Sequence, residues 1–287
     1  MIKQIMQLYK FCNVFSQKLR KDAVSAYAGQ MAFFIILSFF PFVMFLLTLM
    51  RYTSLTEEML LNTIIQFTPS NFVPYVTSWI NEIYGLSASA ALSITAVTCL
   101  WLASKGFVTM IYAFDSIYDR TETRNYIALR LFAVLCTVVF ALILLTTLVL
   151  LVFGTSIYAK IHPHLPWIGE LLLSIISVRS LIIACLLILF FLLLYKMIPN
   201  RKTTFLDEFP GAAMSTVGWM GFSYLYSYYI NNISSYASIY GAMTTVAFLM
   251  LWLYICMYIL LLGAEINVVF QRLPRIASKK KDKDDTP

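Results

Sequence analysis

Residues equipped for chemistry are sparse in this chain, and they fall into three groups. The first is a pair of histidines, His162 and His164, in the segment HPHLP. Two imidazoles can serve as general acid and base, or as two ligands of a metal, but either task needs further partners placed around them. A His-x-His in a proline-rich loop has a simpler reading as a solvated loop. The second group is five cysteines, Cys12, Cys99, Cys136, Cys185 and Cys256, with no CxxC or metal-type spacing. Four of them lie in strongly apolar runs and read as small buried hydrophobes. The third group is ionisable and conformational residues inside or at the edge of those runs: Lys105, Asp115, Glu265, Asn267 and Pro41. These are the candidates for a substrate path. A charged side chain in mid-membrane costs at least ~2.5–3.5 kcal/mol on insertion scales, so its presence there calls for a reason.

Two readings of Lys105 and Glu265 stay open. Lys105 stands about eight residues, or ~12 Å, from the end of its apolar run, near enough to snorkel to the headgroups while Glu265 marks the interface. Alternatively both face inward, as a pair or as separate contacts for a charged headgroup. Pro41 interrupts its run near the middle, which predicts a kink and frees a backbone carbonyl for Ser38 or a neighbouring helix to satisfy. No HExxH, GxSxG, Walker or EF-hand pattern occurs, and no cofactor or metal is expected.

The elements that must hold these residues follow from composition. Of 287 residues, 60% are hydrophobic and 12% charged, against the ~25% charge of ordinary soluble domains. That excludes a soluble protein, a disordered chain and a disulfide scaffold, and leaves an integral membrane protein. No cleavable signal peptide is expected, because the first apolar core begins only at Met31. A helix needs about 20 apolar residues to cross ~30 Å of hydrocarbon. The apolar runs give spans at about 31–50, 90–113, 131–153 and 180–198. Phe209–Ala264 then runs 56 residues without a charge. As one helix it would be about 84 Å long, so it must fold back, and Asn231-Asn232-Ile233-Ser234-Ser235 is the polar place to do so. Spans five and six are about 211–230 and 241–264. The expected fold is all-α, a polytopic membrane protein with six transmembrane helices over 23–271.

Charge sets the orientation. The net charge is +7. With six spans, seventeen Lys and Arg fall on the side of the two termini, three (Arg51, Lys160 and Arg179) on the other, and Lys105 within a span. By the positive-inside rule both termini are cytoplasmic, and the net charge is a topology signal rather than a nucleic-acid footprint. Residues 1–22 predict a cytoplasmic amphipathic interfacial helix, with Leu8, Phe11, Cys12, Phe15 and Leu19 on one face and Lys3, Lys10 and Lys18 available to anionic headgroups. Val76, Trp79, Ile80, Ile83 and Tyr84 repeat at helical spacing in the first outer loop, as a brace for the bundle or a lid over a cavity. Residues 272–287 read as a disordered basic cytoplasmic tail. Gly211, Ser215, Gly218 and Gly221 line one helix with small side chains, as do Ser87, Ala91 and Thr95 on another, for close helix contact. Tyr224, Tyr226, Tyr228, Tyr229, Tyr236 and Tyr240 gather near the outer interface, as an aromatic belt or a vestibule.

Four segments carry a resemblance: SAYAGQMAFFIILSFFPFVMFLL (Ser25–Leu47), LWLASKGFVTMIYAFDSIYDRTETRNYIALR (Leu100–Arg130), EFPGAAMSTVGWMGFSYLYSYYI (Glu208–Ile230) and YGAMTTVAFLMLWLYICMYILLLGAEINVVF (Tyr240–Phe270). With them the chain resembles the YihY/BrkB family of bacterial inner-membrane proteins, from about Ala23 to Phe270. One departure is Asp115, where the family pattern has Asn, so no role of a neutral amide carries over to that position. The resemblance implies six helices in the bacterial plasma membrane. It also brings an old label, a tRNA-processing ribonuclease of the BN type, and proposed roles in envelope lipid traffic and virulence. The residues do not support the ribonuclease: the two histidines fall on the outer side, and no basic, aromatic-studded soluble domain exists to take RNA. The expectation is therefore a non-enzymatic protein that moves or positions a lipid-like amphiphile, with membrane lipids as partners and no nucleic acid. A non-catalytic scaffold for envelope assembly is the alternative.

Overall fold

The computed structural model describes residues 2–50, 73–74, 77–78, 81, 88–142, 179–201, 203–232 and 242–284. Seven long helices account for nearly all of them, and no strand occurs among the described residues. They are α1 (Ile2–Lys21), α2 (Val24–Met50), α3 (Ala88–Ile117), α4 (Tyr126–Leu142), α5 (Arg179–Met197), α6 (Phe205–Asn232) and α7 (Ala242–Asp284). In hydrocarbon every backbone N–H and C=O must be satisfied within the segment, and the helix does this at any sequence apolar enough to enter.

Among the described residues three stretches are long and apolar enough to cross a membrane: Val24–Phe45, Ser93–Ile117 and Val246–Gln271. α4 and α5 offer shorter apolar stretches, Tyr126–Leu142 and Ile183–Met197. α6 has 28 residues, with Asp207 and Glu208 in its first turn. The outer-loop helix around Trp79, both histidines, Tyr236 and Tyr240 lie outside the described residues. So do the turn after Asn232 and the chain from 143 to 178. α7 has 43 residues, about 65 Å at helical rise, so it must project well beyond a bilayer. Its backbone stays helical to Asp284, through most of the stretch whose composition predicts a disordered tail. Extending an existing helix needs no new nucleus, which is why a polar end can continue one.

Consecutive helices are neighbours, and the ring closes on itself. α2 lies along α3. Phe107 of α3 meets Phe140 of α4, which in turn meets Phe190 of α5. Phe191 of α5 meets Trp219 of α6. α6 and α7 run antiparallel, pairing Tyr229 with Phe248, Tyr226 with Trp252 and Ser215 with the Ile259 carbonyl. α7 then returns to α2, where Ser25 and Tyr254 hydroxyls lie 2.9 Å apart. The helices carry apolar residues on the outside, among them Val97, Leu135, Leu186, Val217 and Leu225. Hydrocarbon tolerates such a surface and water does not.

Burial is concentrated at one end of the ring, called here the base: the start of α2, the ends of α3, α5 and α7's apolar stretch, and the starts of α4 and α6. Val24, Ala28, Met31, Ile111, Phe114, Phe191, Tyr195, Ala212, Leu260 and Ala264 form its core. Chain reversals there are built by local chemistry. α3 ends in a Schellman motif: Arg120 N–H donates to Asp115 C=O at 2.8 Å and Asp119 N–H to Ser116 C=O at 3.3 Å. Asp119 takes the left-handed conformation (φ 51°) that this motif requires and that Asp tolerates. Asn125 caps α4 by accepting from Ala128 N–H at 2.8 Å. Thr204 and Asp207 cap α6, with Thr204 N–H and hydroxyl donating to the Asp207 carboxylate at 2.9 and 2.7 Å. α2 passes through Pro41 as one helix, and Ser38 donates to Ile35 C=O rather than to a carbonyl one turn before the proline.

Candidate functional site

α1 reaches the base through its last turn. Ala23, at φ 52°, is the left-handed elbow between α1 and α2, and it turns Lys18 and Asp22 inward. The Lys18 ammonium lies 2.5 Å from Asp22, 2.5 Å from Glu265 on α7, and 3.1 Å from the Ile117 carbonyl that ends α3. Asp22 and Glu265 side chains are 3% and 0% exposed, so one cation faces two dry carboxyl groups. Glu265 Oε1 has no hydrogen-bond partner among the described residues. At the rim Lys21 pairs with Asp119 at 3.3 Å, tying α1 to the end of α3 a second time.

A second polar cluster lies on the other side of α7. Residues two apart on a helix point about 200° apart, so Glu265 faces α1 while Asn267 faces α6. Asn267 accepts the Gly211 N–H at 2.6 Å and donates to Glu208 at 3.0 Å. Glu208 takes Arg201 from the α5–α6 loop at 2.5 Å, and Arg201 also donates to Gln271 at 3.0 Å. Gln271 closes the circuit by donating to the Asp207 carbonyl at 3.1 Å. The Arg201 guanidinium lies 3.5 Å from the centre of the Tyr118 ring. Burial pushes the Glu208 carboxyl above the usual range, and Arg201 opposes that shift. Burial likewise holds the Tyr118 phenol well above its ordinary value.

Close approach of α6 and α7 makes the second cluster geometrically feasible. A Cβ on Gly211 would strike the Gly263 carbonyl and the Asn267 amide, and one on Gly263 would strike the Ser215 and Tyr195 hydroxyls. Tyr195 joins three helices here: its hydroxyl donates to the Leu260 carbonyl at 2.7 Å and lies 2.7 Å from Ser215 Oγ. Gly221, in the same stripe of small residues, faces open space.

The sequence candidates are thus distributed unevenly. Glu265 and Asn267 both sit at the base, one in each cluster. Asp115 is buried in the last turns of α3, and its Oδ2 lacks a hydrogen-bond partner among the described residues. Lys105 lies elsewhere, half-buried with its ammonium 5.6 Å from the Phe34 ring centre, and the cation at Glu265 is Lys18. Pro41 lies further along α2, away from both clusters. Lys18, which the sequence offers to anionic headgroups, and Asp22, Arg201 and Glu208 are not among the site candidates that the sequence supplies. One signal was available. Glu208 and Glu265 bracket the 56-residue charge-free run, and an antiparallel hairpin returns its two ends to the same depth.

Two open cavities flank this floor. One, of about 560 Å³, lies at the α1–α2 elbow beside α7, lined by Ser16, Leu19, Arg20, Ala23, Ser25, Ala26 and Tyr258. The other, of about 490 Å³, lies between the α3–α4 and α5–α6 loops and is lined mainly by basic residues. Lys105 lines neither. Among the described residues no group of three or more His, Cys, Asp or Glu is placed to hold a metal.

Comparison with known proteins bears on the whole chain. The family described as virulence factor BrkB matches residues 15–286. The ribonuclease-like protein YfkH of Bacillus subtilis is 30% identical over 261 residues, covering 91% of this chain and 92% of YfkH. A UPF0761 membrane protein of Alteromonas mediterranea is 27% identical over 90% of this chain and 87% of its own. Another, of Aggregatibacter aphrophilus, is 25% identical over 94% of each chain. No solved structure matches. The EFPG and LLGAEIN segments that carried the resemblance are the ones joined at the base, through Gly211, Gly263, Glu208 and Asn267. The chain is a membrane protein of the BrkB family.

Proposed function

We propose that the protein is a six-span plasma-membrane protein, both termini cytoplasmic, that moves or positions a lipid-like amphiphile without catalysis of its own. The observation that carries this reading is the cavity at the α1–α2 elbow. Its wall sets one cation, Arg20, and the Ser16 and Ser25 side chains beside apolar Leu19, Ala23, Ala26 and Tyr258. A headgroup needs the former and an acyl or prenyl chain the latter, whereas a small hydrated ion gains nothing from the apolar side. The cavity opens at the basic end, where a cytoplasmic leaflet supplies anionic headgroups. Asp115, Glu265 and Asn267 lie in the adjacent floor and Lys105 above it, and they remain our candidates for the path, with Pro41 as its flexible point.

Two observations favour a second reading, a membrane scaffold: the tight Gly211–Gly263 contact gives a solid α6–α7 wall, and neither cavity reaches Lys105. The ribonuclease description belongs to YfkH. The readings separate in liposomes. Full-length protein reconstituted in phosphatidylcholine vesicles with a trace of fluorescent short-chain phospholipid should speed its exchange between leaflets over protein-free vesicles. Lys105→Leu and Glu265→Gln should slow it. Equal rates with and without the wild-type protein would favour the scaffold, and unchanged rates in both variants would remove Lys105 and Glu265 from the path.

A further inference from the structure

The second cavity has a different chemistry from the elbow. Its lining is Arg120, Arg124, Lys196, Met197, Pro199, Asn200 and Arg201: four cations, one amide and no carboxylate. Two loops that meet across it hold these residues in place. The Schellman turn after α3 fixes the Arg120 backbone on the Asp115 carbonyl, and Asn200 in the α5–α6 loop donates to Thr123 at 2.9 Å. Arg124 is braced by the Phe132 ring at 4.3 Å, Arg201 by Tyr118 at 3.5 Å, and Lys196 by Phe205 at 3.4 Å, so three of the four cations are held by aromatic faces.

Neutralisation is incomplete. Glu208 satisfies Arg201, while Glu122 stands 3.8 Å from Arg124, a loose pairing. Arg120 and Lys196 have no carboxylate partner among the described residues. Arg124 Nη1, the atom 3.8 Å from Glu122, and Arg201 Nε, whose neighbouring nitrogens serve Glu208 and Gln271, make no hydrogen bond of their own among the described residues. Four cations around one cavity, two without a carboxylate partner and a third only loosely paired, leave it short of an acceptor-rich anion. Guanidinium groups match the paired oxygens of a phosphate, and basic pockets between helices at the cytoplasmic face of membrane proteins take phospholipid headgroups.

We propose that this cavity binds a phosphate-bearing anion, with Arg120, Arg124 and Lys196 as its contacts and Arg201 as the residue that fixes the far wall. Phosphate is the shared chemistry of two sources, a phospholipid headgroup and free phosphate. The site is separate from the elbow, and it holds its anion whether or not the protein moves an amphiphile between leaflets.

Native mass spectrometry of the full-length protein in phosphatidylcholine nanodiscs tests this, titrating phosphatidic acid in one arm and inorganic phosphate in the other. Wild type should retain one phosphate-bearing ligand above the phosphatidylcholine background in at least one arm. R120A combined with K196Q should weaken that retention by about tenfold or more, because each removes a charge-assisted contact. R179Q, at the opposite end of α5 from Lys196, should leave it unchanged. Arg120 is exposed and Lys196 half-exposed, and an unchanged unfolding temperature of the double variant excludes misfolding as the cause. Retention in the phosphatidic acid arm identifies the lipid as the source, and retention of inorganic phosphate alone identifies the free ion. No retention in either arm, equal retention by the double variant, or an equal loss in R179Q would overturn the site.

Discussion

Lys18 is the residue on which most of the base converges, because its ammonium serves two buried carboxyl groups and the last carbonyl of α3. Removing one partner of a buried ion pair strands the other charge, at a cost of roughly 3–5 kcal/mol. Lys18→Met should therefore destabilise the folded protein by about that amount, read as a fall in thermal unfolding temperature in detergent. Glu265→Gln should cost less, since Lys18 keeps Asp22. A larger loss in Glu265→Gln would assign the stabilising role to another contact. At the α6 cap the hydrogen bonds from Thr204 hold the Asp207 carboxyl below the usual range. A depressed carboxyl stabilises the fold fully above its unfolded value of ~3.9, and that contribution is lost as pH falls through the lower folded value. Asp207→Asn should thus lower stability at neutral pH and flatten the acid limb of a stability–pH profile, a small effect because Asp207 is exposed. Glu265 could be read from sequence, as a lone carboxylate closing a long apolar run. Its partner could not, because Lys18 looks like any charge on a solvated helix face until the elbow at Ala23 turns it inward.

Helices and their joints carry a second set of outcomes. Ala23 holds φ 52° without being glycine, a conformation that costs an L-residue roughly 1–2 kcal/mol. Ala23→Gly should raise the unfolding free energy by about 1 kcal/mol, and Ala23→Val should lower it, since a branched side chain fits the left-handed region poorly. The small-residue stripe on α6 separates in the same way. Gly263→Ala on the facing helix must displace Ser215, Tyr195 or the Gly211 backbone, an overpacking cost of about 1–3 kcal/mol. Gly221→Ala faces open space and should be neutral or stabilising, because alanine is the better helix former. Equal effects at both positions would mean that α6 and α7 do not meet where described. Spacing alone predicted packing for every member of the stripe. Only the register of the antiparallel pair, set by Asn267 on Gly211 and Gln271 on Asp207, tells which members touch.

At the scale of the molecule, composition already required a membrane, and the apolar runs at 31–50, 90–113 and 241–264 overlap the three described stretches long and apolar enough to cross one, because hydrocarbon demands both in one dimension. The closing of the ring by α7 on α2 and the assembly of charges at its base were not legible, since they depend on contacts between residues up to 247 positions apart, as between Lys18 and Glu265. The base so formed has an anion-hungry cavity on one side and a half-apolar one on the other, under a ring whose outside is apolar. The half-apolar elbow cavity is the feature on which the proposed amphiphile rests. Lipid mass spectrometry of the purified full-length protein, set against a total lipid extract of the membrane it came from, tests that claim most directly. The account predicts a lipid class enriched several-fold over its share of the membrane; co-purified lipid that matches the bulk composition would contradict it.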